Sequence, residues 1–365
     1  MVRVLFLASP FKAREVLKMA ENFSPEITYK IVTMSYPYSE VVARNKSRLQ
    51  KARDLILGDK SLTKVIADFR PNIAYSDSGL YGTQFGIASY RLRKRTPLIL
   101  RLRGDWWREY CDLFSSVSWK RKLFLTQNYG YHWASVILAA RVAPVCRWLE
   151  TVVKHHVPGK RTEVVYLGVS PEDFFPENGF DFHRPAVAII QNHTVRTKVL
   201  GLIRFREVIQ RMPNVNFYIS EGENVKQTFL PLVKNHFSNV PNAHLIPGVN
   251  TLSGVRRMLT AADCYVLASG LDCCPATVLE ASLMRKPVVA SRVGGVPETI
   301  LEGRTGWTVS NDDTTEWVHR IELAVTDTKL NQRMGIQGRE WVSRKFSWEI
   351  IADQVEVLLK VHASK

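Results

Sequence analysis

Short β-branched apolar runs alternate along the chain with longer stretches whose apolar residues recur at helical spacing. Such alternation predicts parallel α/β units. In the first half the strand runs are Val2–Ala8, Ile27–Met34, Asn72–Ser76, Pro97–Arg101, Ala134–Ala139 and Glu163–Tyr166. The helical stretches between them include Val41–Leu57, Ser61–Phe69 and Pro144–His155. After the Phe-, Pro- and Gly-containing stretch Phe174–Gly179, a second series runs through Ala186–Ile190, Val215–Ile219, Ala243–Ile246, Cys264–Ala268, Pro287–Ala290 and Trp307–Val309. The pattern predicts two doubly wound Rossmann-like domains, residues 1–178 and 179–345. A final helical segment, 346–365, carries Ile350, Ile351, Val355, Leu358 and Leu359 on one stripe.

At 365 residues, 45% hydrophobic and 23% charged, the chain has the length and composition of two ordinary globular cores. No run of 18 apolar residues predicts a membrane span. The opening run Val4–Ala8, broken by Pro10, Lys12 and Arg14, reads as a buried strand rather than a signal peptide. Cys111, Cys146, Cys264, Cys273 and Cys274 are odd in number and irregularly spaced, which fits reduced thiols in a cytoplasmic protein and no zinc site. Charge changes the picture more. The net +16 is concentrated in residues 1–180, which hold 28 Lys and Arg against 16 Asp and Glu. A basic half calls for an anionic partner: a phosphate-bearing substrate, an acidic lipid surface or nucleic acid.

The densest chemistry lies between Ala262 and Val309, ADCYVLASGLDCCPATVLEASLMRKPVVASRVGGVPETILEGRTGWTV. It reads as strand (Cys264–Ala268), turn (Ser269–Pro275), helix (Thr277–Arg285) and strand (Pro287–Ala290). Free backbone N–H groups at the helix start, Ala276 and Thr277, can cradle a diphosphate. Glu280 lies one turn in, and its side chain leans back toward that end. A carboxylate there suits hydroxyls, such as a ribose diol, rather than phosphate. Asp272, on the loop, can contact a sugar. Gly294 and Gly295 permit positive φ and close backbone approach at the end of the next strand.

This segment resembles the nucleotide-sugar signature of glycosyltransferase family four, the retaining GT-B enzymes. The matching features are Asp272 and Glu280 with seven residues between them, Lys286–Ser291, Gly294-Gly295, Pro297-Glu298 and Thr305-Gly306. Further similarity lies in Pro247-Gly248 with Val255–Asp263, in Arg344–Trp348 with Ile351, and in Val165–Phe174. It is thin before about residue 135. The first acid of the signature is usually Glu, so Asp272 keeps the charge and shortens the reach. The resemblance implies a GT-B fold with an interdomain cleft, acceptor binding in the N-terminal domain, donor binding in the C-terminal domain, and a last helix crossing back to the first domain. It also implies that Glu280 binds the donor ribose.

The same family places an Arg and a Lys facing the donor diphosphate after the first strand of the C-terminal domain. Here Lys198 falls at the Lys position, His193 at the Arg position, and Arg196 is a nearby substitute. The N-terminal domain departs further. Ser9-Pro10-Phe11-Lys12 replaces a diglycine loop, and Arg103, Gly104 and Asp105 stand where many members carry a His facing the reacting sugar. Arg103, always protonated, can steady a phosphate on donor or acceptor. Asp105 can bind or help deprotonate an acceptor hydroxyl. Salt-bridge roles at a strand end fit both equally well. Trp106, Trp107, Arg108, Trp119, Lys120, Arg121, Lys122 and Phe124 mix bases with aromatics, as at a membrane interface or a single-strand clamp, or as core with solvated neighbours.

The expectation is a retaining transferase that moves a sugar from a UDP- or GDP-sugar to an acceptor hydroxyl. The acceptor is expected to be lipid-linked or phosphorylated, and the protein peripheral at an anionic membrane face. No DxD motif is present, so neither a cofactor nor a Mg²⁺ or Mn²⁺ requirement is expected. The rivals are a sugar-nucleotide epimerase on the same fold, a nucleic-acid or anionic-surface binding protein, and a donor-binding protein without catalysis.

Overall fold

The computed structural model describes residues 1–33, 60–116, 119–222, 229–249 and 251–363. The helix expected over Val41–Leu57 and the side chains of Lys120, Arg121 and Phe124 lie outside the described part. Two compact units divide the chain. One comprises Met1–Tyr110, Phe114–Tyr166 and Trp348–Lys365, the other Leu167–Ser347 with Cys111–Leu113.

The first unit runs β1 (Val2–Ala8), α1 (Pro10–Ala20), β2 (Ile27–Thr33), α2 (Lys60–Phe69), β3 (Ile73–Ser76), α3 (Gly79–Arg91), β4 (Leu98–Leu102), α4 (Trp106–Ser116), α5 (Trp119–Leu138), β5 (Arg141–Pro144) and α6 (Arg147–His156). Its sheet is parallel, in the order β2-β1-β3-β4-β5. The chain therefore steps outward from β1 in both directions.

The second unit runs β6 (Ala186–Ile189), α7 (Arg196–Arg204), α8 (Arg206–Arg211), β7 (Asn216–Ser220), α9 (Leu230–Phe237), β8 (Ala243–Ile246), α10 (Leu252–Ala261), β9 (Cys264–Leu267), α11 (Ala276–Leu283), β10 (Val288–Ser291), β11 (Gly306–Val309), α12 (Thr314–Thr326) and α13 (Thr328–Phe346). Its parallel sheet is ordered β11-β10-β9-β6-β7-β8. The last helix, α14 (Trp348–Ala363), returns to the first unit. It buries Trp348, Ile351, Val355 and Leu359 against Val4, Phe6, Ile73, Tyr75 and Ile99. Glu356, midway along it, accepts from the Ser24 backbone N–H at 2.8 Å.

Three sequence expectations shift. The unit boundary falls at Tyr166/Leu167 rather than 178, because the intervening chain is tied into the second unit. Val169 N–H donates to Phe346 O at 2.8 Å, Arg339 donates to Pro171 O and Phe174 O, and Arg256 donates to Asp173 O. Ala134–Ala139 is not a strand. It forms most of the last turns of α5, which packs along α3, and the strand of that region is β5. A short apolar run bounded by small residues is ambiguous between strand and buried helix end, and packing decides it. Glu163–Tyr166 runs extended beside β5, with Glu163 N–H on Val142 O and Val165 N–H on Pro144 O, but forms no named strand.

Trp106 and Trp107 belong to a core. They stack on each other at 4.0 Å, Trp106 stacks on His132 at 5.0 Å, and Trp107, 2% exposed, stacks on His156. Enclosure pushes the His132 pKa down to about 4. Of the described side chains in the aromatic-basic stretch, Arg108 and Trp119 stand out into solvent. No helix among the described residues is long and apolar enough to cross a membrane.

Candidate functional site

The second sheet reverses its direction of growth between β6 and β9. Loops leaving the C-terminal ends of those two strands part there, which is where open parallel sheets take ligands. The loop after β6 holds Gln191, Asn192 and His193, and the loop after β9 holds Asp272. Helices α7 and α11 then begin with their N-termini at this opening.

Two glycines bring the loops together. A Cβ on Gly201, in α7, would sit 2.3 Å from the backbone of Ser269 and Gly270, and one on Gly270 would sit 2.3 Å from Thr197 O. Backbone therefore touches backbone, with Gly270 N–H donating to Thr197 O at 3.1 Å. This contact sets Lys198, in the first turn of α7, opposite Asp272. Lys198 Nζ lies 2.6 Å from Asp272 Oδ2, and Asp272 Oδ1 accepts from Cys273 N–H at 2.9 Å. The other side of Asp272 is fixed by the diglycine. Gly294 has φ +52° and leaves room for Asp272 O, which a Cβ would approach to 2.2 Å, while Gly295 N–H donates to that same oxygen. Gly294 and Gly295 therefore clear space for the backbone of Asp272.

Helix α11 starts at Ala276 behind Pro275, with no side-chain cap and no acid in its first turn. Its free N–H groups and positive dipole end are left for an anion. Thr277 and Glu280 on this helix line a cavity of about 330 Å³. Ile190, Val249, Leu252 and Val255 give it an apolar wall, and Gln191, Asn192, Ser220 and Thr251 give it polar edges. Tyr265, buried beneath, donates to Ile190 O at 3.0 Å and stands 2.7 Å from the Thr277 hydroxyl, which ties the two walls together. Gln191 is only 7% exposed, and neither end of its amide has a partner among the described residues. Such a group costs about 1–3 kcal/mol unless something satisfies it. A flat heterocycle with donors and acceptors on its edge would, and Glu280 would accept from the hydroxyls of an attached sugar.

The expected phosphate ligands separate. Lys198 is half-buried at the opening, and Arg196, the first residue of α7, is exposed beside it. His193 is fully buried and faces inward: its Nε2 is 2.7 Å from Ser220 O, and its carbonyl accepts from Phe229 N–H. Burial, the leading influence, lowers its pKa against the pull of the Ser220 carbonyl and Glu221. His193 thus braces the β6 and β7 loops and does not present a cation to the opening.

In the first unit, Asp105 is 6% exposed and caps α4, accepting from Arg108 N–H at 3.1 Å, so its carboxylate is spent on the helix end. Arg103 pairs with Glu15. Sequence reasoning missed Gln191, Gly201 and Gly270, and also Asp77 after β3. Gly201 and Gly270 carry no signal beyond their residue type. Gln191 sat in view in the same loop as His193 but has no charge to mark it.

Residues 198–341 match the family model described as glycosyl transferases group 1. That stretch of the second unit is similar to the group 1 glycosyl transferases. The chain is 30% identical over 203 residues to α-maltose-1-phosphate synthase of Mycolicibacterium smegmatis, which covers 53% of this chain and 52% of that protein. It is 32% identical over 210 residues to N-acetyl-α-D-glucosaminyl L-malate synthase of Bacillus anthracis, 55% and 54% of the two chains. The chain thus spans about half the length of the curated relatives it matches. Anabaena HepE, solved in complex with UDP-glucose, superposes with a TM-score of 0.73 over 99% of this chain and all of that one, at 16% identity. That likeness is one of fold. The chain's two parallel-sheet α/β units are of the GT-B type.

Proposed function

We propose that the protein is a glycosyltransferase that moves a hexose from a nucleoside diphosphate sugar to an acceptor hydroxyl with retention at the anomeric carbon. The observation that carries the reading is the cavity where Glu280 and the unsatisfied Gln191 amide meet the uncapped start of α11. The base fits the apolar wall with its edge on Gln191, the ribose diol lies on Glu280, and the diphosphate sits at the α11 N-terminus within reach of Lys198. Arg196 can add a second cation. The names of the matched proteins support the class: two are synthases of glycosylated products, and HepE was solved with UDP-glucose. UDP- and GDP-sugars are the donors to be tried first.

Cleavage of the anomeric C–O bond leaves an oxocarbenium-like sugar and puts negative charge on the departing diphosphate. Lys198 and the α11 dipole would stabilise that charge where it grows, without reorganising at the moment of reaction. They supply positive charge of the kind a metal ion would, so we propose a metal-independent enzyme. The acceptor is proposed to be anionic, lipid-linked or phosphorylated, on the strength of the basic first half.

Incubation with donor and a panel of phosphorylated and lipid-linked acceptors tests the reading. Transfer should require both partners, and the product's anomeric coupling in NMR should match the donor's. Conversion of donor alone would favour an epimerase, and an inverted product would end the retaining assignment.

A further inference from the structure

The sheet of the first unit also has a point where its direction of growth reverses: β2 lies on one side of β1 and β3 on the other. The loops leaving β1 and β3 part there, as ligand sites in such sheets require. Six polar side chains converge at this place: Lys12 and Glu15 on α1, Tyr75 in β3, Asp77 just after it, Arg101 in β4 and Arg103 beyond its end. Three are cations and two are carboxylates.

The cations are not fully used. Arg101 is 5% exposed; it gives Nη2 to Tyr166 O at 2.7 Å, while its Nε is sealed without an acceptor among the described residues. Arg103 Nε is likewise enclosed without an acceptor. Glu15 sits between Arg103 and Lys12, the latter at 2.9 Å. Burial raises the Glu15 pKa, but the Arg103 guanidinium and then Lys12 outweigh it and hold the carboxyl at about 2. The space left inside is only about 10 Å³, roughly one water. A ligand must therefore displace a side chain, and an anion would displace the anionic one at the rim, Glu15, 36% exposed on α1 and able to swing into solvent.

We propose that this cluster is an oxyanion subsite of the acceptor, in which a phosphate monoester takes the place that the Glu15 carboxylate holds between Arg103 and Lys12. A planar carboxylate reaches two of the three cations. A tetrahedral dianion can address Lys12, Arg103 and the orphaned Nε of Arg101 together. With Glu15 swung away, three cations face the single carboxylate of Asp77, an excess of two positive charges that a phosphate dianion matches. The uncharged Tyr75 hydroxyl beside Arg101 adds a donor. The acceptor assignment rests on the donor reading of the second unit; the anion site itself does not.

Titration of inorganic phosphate into the whole chain, followed by calorimetry, tests this. Glu15→Gln removes the internal competitor and should tighten phosphate binding by about tenfold, the effect of roughly 1.4 kcal/mol. Arg103→Met and Lys12→Met should each abolish it. With UDP present to fill the donor site, Arg211→Met, an exposed ion-pair residue of the other unit, should leave it unchanged, and acetate should not compete. Unchanged phosphate affinity in Glu15→Gln would mean that the cluster is a structural ion pair and would overturn the proposal, even if Arg103→Met failed to fold. So would loss of binding in Arg211→Met, or equal competition by acetate. UDP-sugar binding measured on the same samples keeps the two readings apart, since its absence would end the donor reading while leaving the phosphate result standing.

Discussion

Lys198 and Asp272, 74 residues apart in sequence, meet at 2.6 Å because Gly201 and Gly270 let α7 rest directly on the loop after β9. The pair holds an ammonium group ready where α7 and α11 begin. On the proposed reading, an arriving diphosphate would take Lys198 from Asp272, exchanging one anionic partner for another of higher charge. Replacing Lys198 would then remove the phosphate contact and leave Asp272 without this cation.

Lys198→Ala should therefore raise the dissociation constant of the donor about thirty-fold, or roughly 2 kcal/mol for a charge-assisted hydrogen bond. Calorimetric titration with the preferred UDP- or GDP-sugar measures it. An unchanged constant would take Lys198 out of the phosphate site.

The proposal gives the ribose to Glu280, which lies on α11 and in the cavity wall. The wild type should bind a ribonucleoside diphosphate more tightly than its 2′-deoxy analogue. In Glu280→Gln the affinity should fall about tenfold and the preference should shrink, because a charged acceptor has been replaced by a neutral amide. Equal discrimination in both proteins would place the carboxylate elsewhere.

Gly201→Ala puts a Cβ within 2.3 Å of backbone that cannot give way. Overpacking of this kind costs about 1–3 kcal/mol. The thermal midpoint should drop by several degrees, and donor affinity should fall with it as Lys198 is pushed away from the opening. A wild-type melting curve would contradict the close approach.

Much of this was legible in the sequence, and the reasons for the rest are physical. The parallel α/β pattern and most strands followed from periodicity, and Glu280 from its position one turn into a helix after a buried strand. The role of Gly294 was half legible. Positive φ and close approach were expected, but not that the approaching atom is Asp272 O, since nothing local says which backbone will arrive. His193 and Asp105 looked like ligands because they fall where the resembling family places residues that face the donor or the reacting sugar. Each was absorbed by a neighbour, Ser220 O in one case and the N–H groups of α4 in the other, and only the folded chain brings those neighbours in. Asp77 was overlooked because a lone acid after a four-residue strand has no spacing signal. Its meaning lies in Lys12, Arg101 and Arg103, which come from two other elements.

Asp77 makes a pH prediction. Burial lifts its pKa from the usual carboxylate value to about 6, against the pull of Arg103, Lys12 and Arg101. The folded state then keeps a proton that the unfolded chain releases near pH 4, so this group's contribution to stability falls as pH rises from about 4 to 6. Asp77→Asn lacks that slope. Its thermal midpoint should gain on the wild type across the window and hold the gain above it, as scanning calorimetry at pH 4, 5, 6 and 7 would show. Parallel curves would mean that Asp77 is solvated.

Chelation provides a separate check on the mechanism. Transfer should continue at full rate in EDTA, with Lys198 and the α11 terminus carrying the leaving-group charge. Full loss of activity restored by Mn²⁺ would contradict metal independence.

The most direct test of the donor site is thermal unfolding of the whole chain with UDP-, GDP- and ADP-sugars, run beside Glu280→Ala. A ligand at a hundred times its dissociation constant adds about 2.7 kcal/mol of stability. At least one of these sugars should raise the midpoint of the wild type, and the rise should shrink or vanish in Glu280→Ala. No rise with any of them, or an equal rise in both proteins, would contradict a nucleotide-sugar site at Glu280.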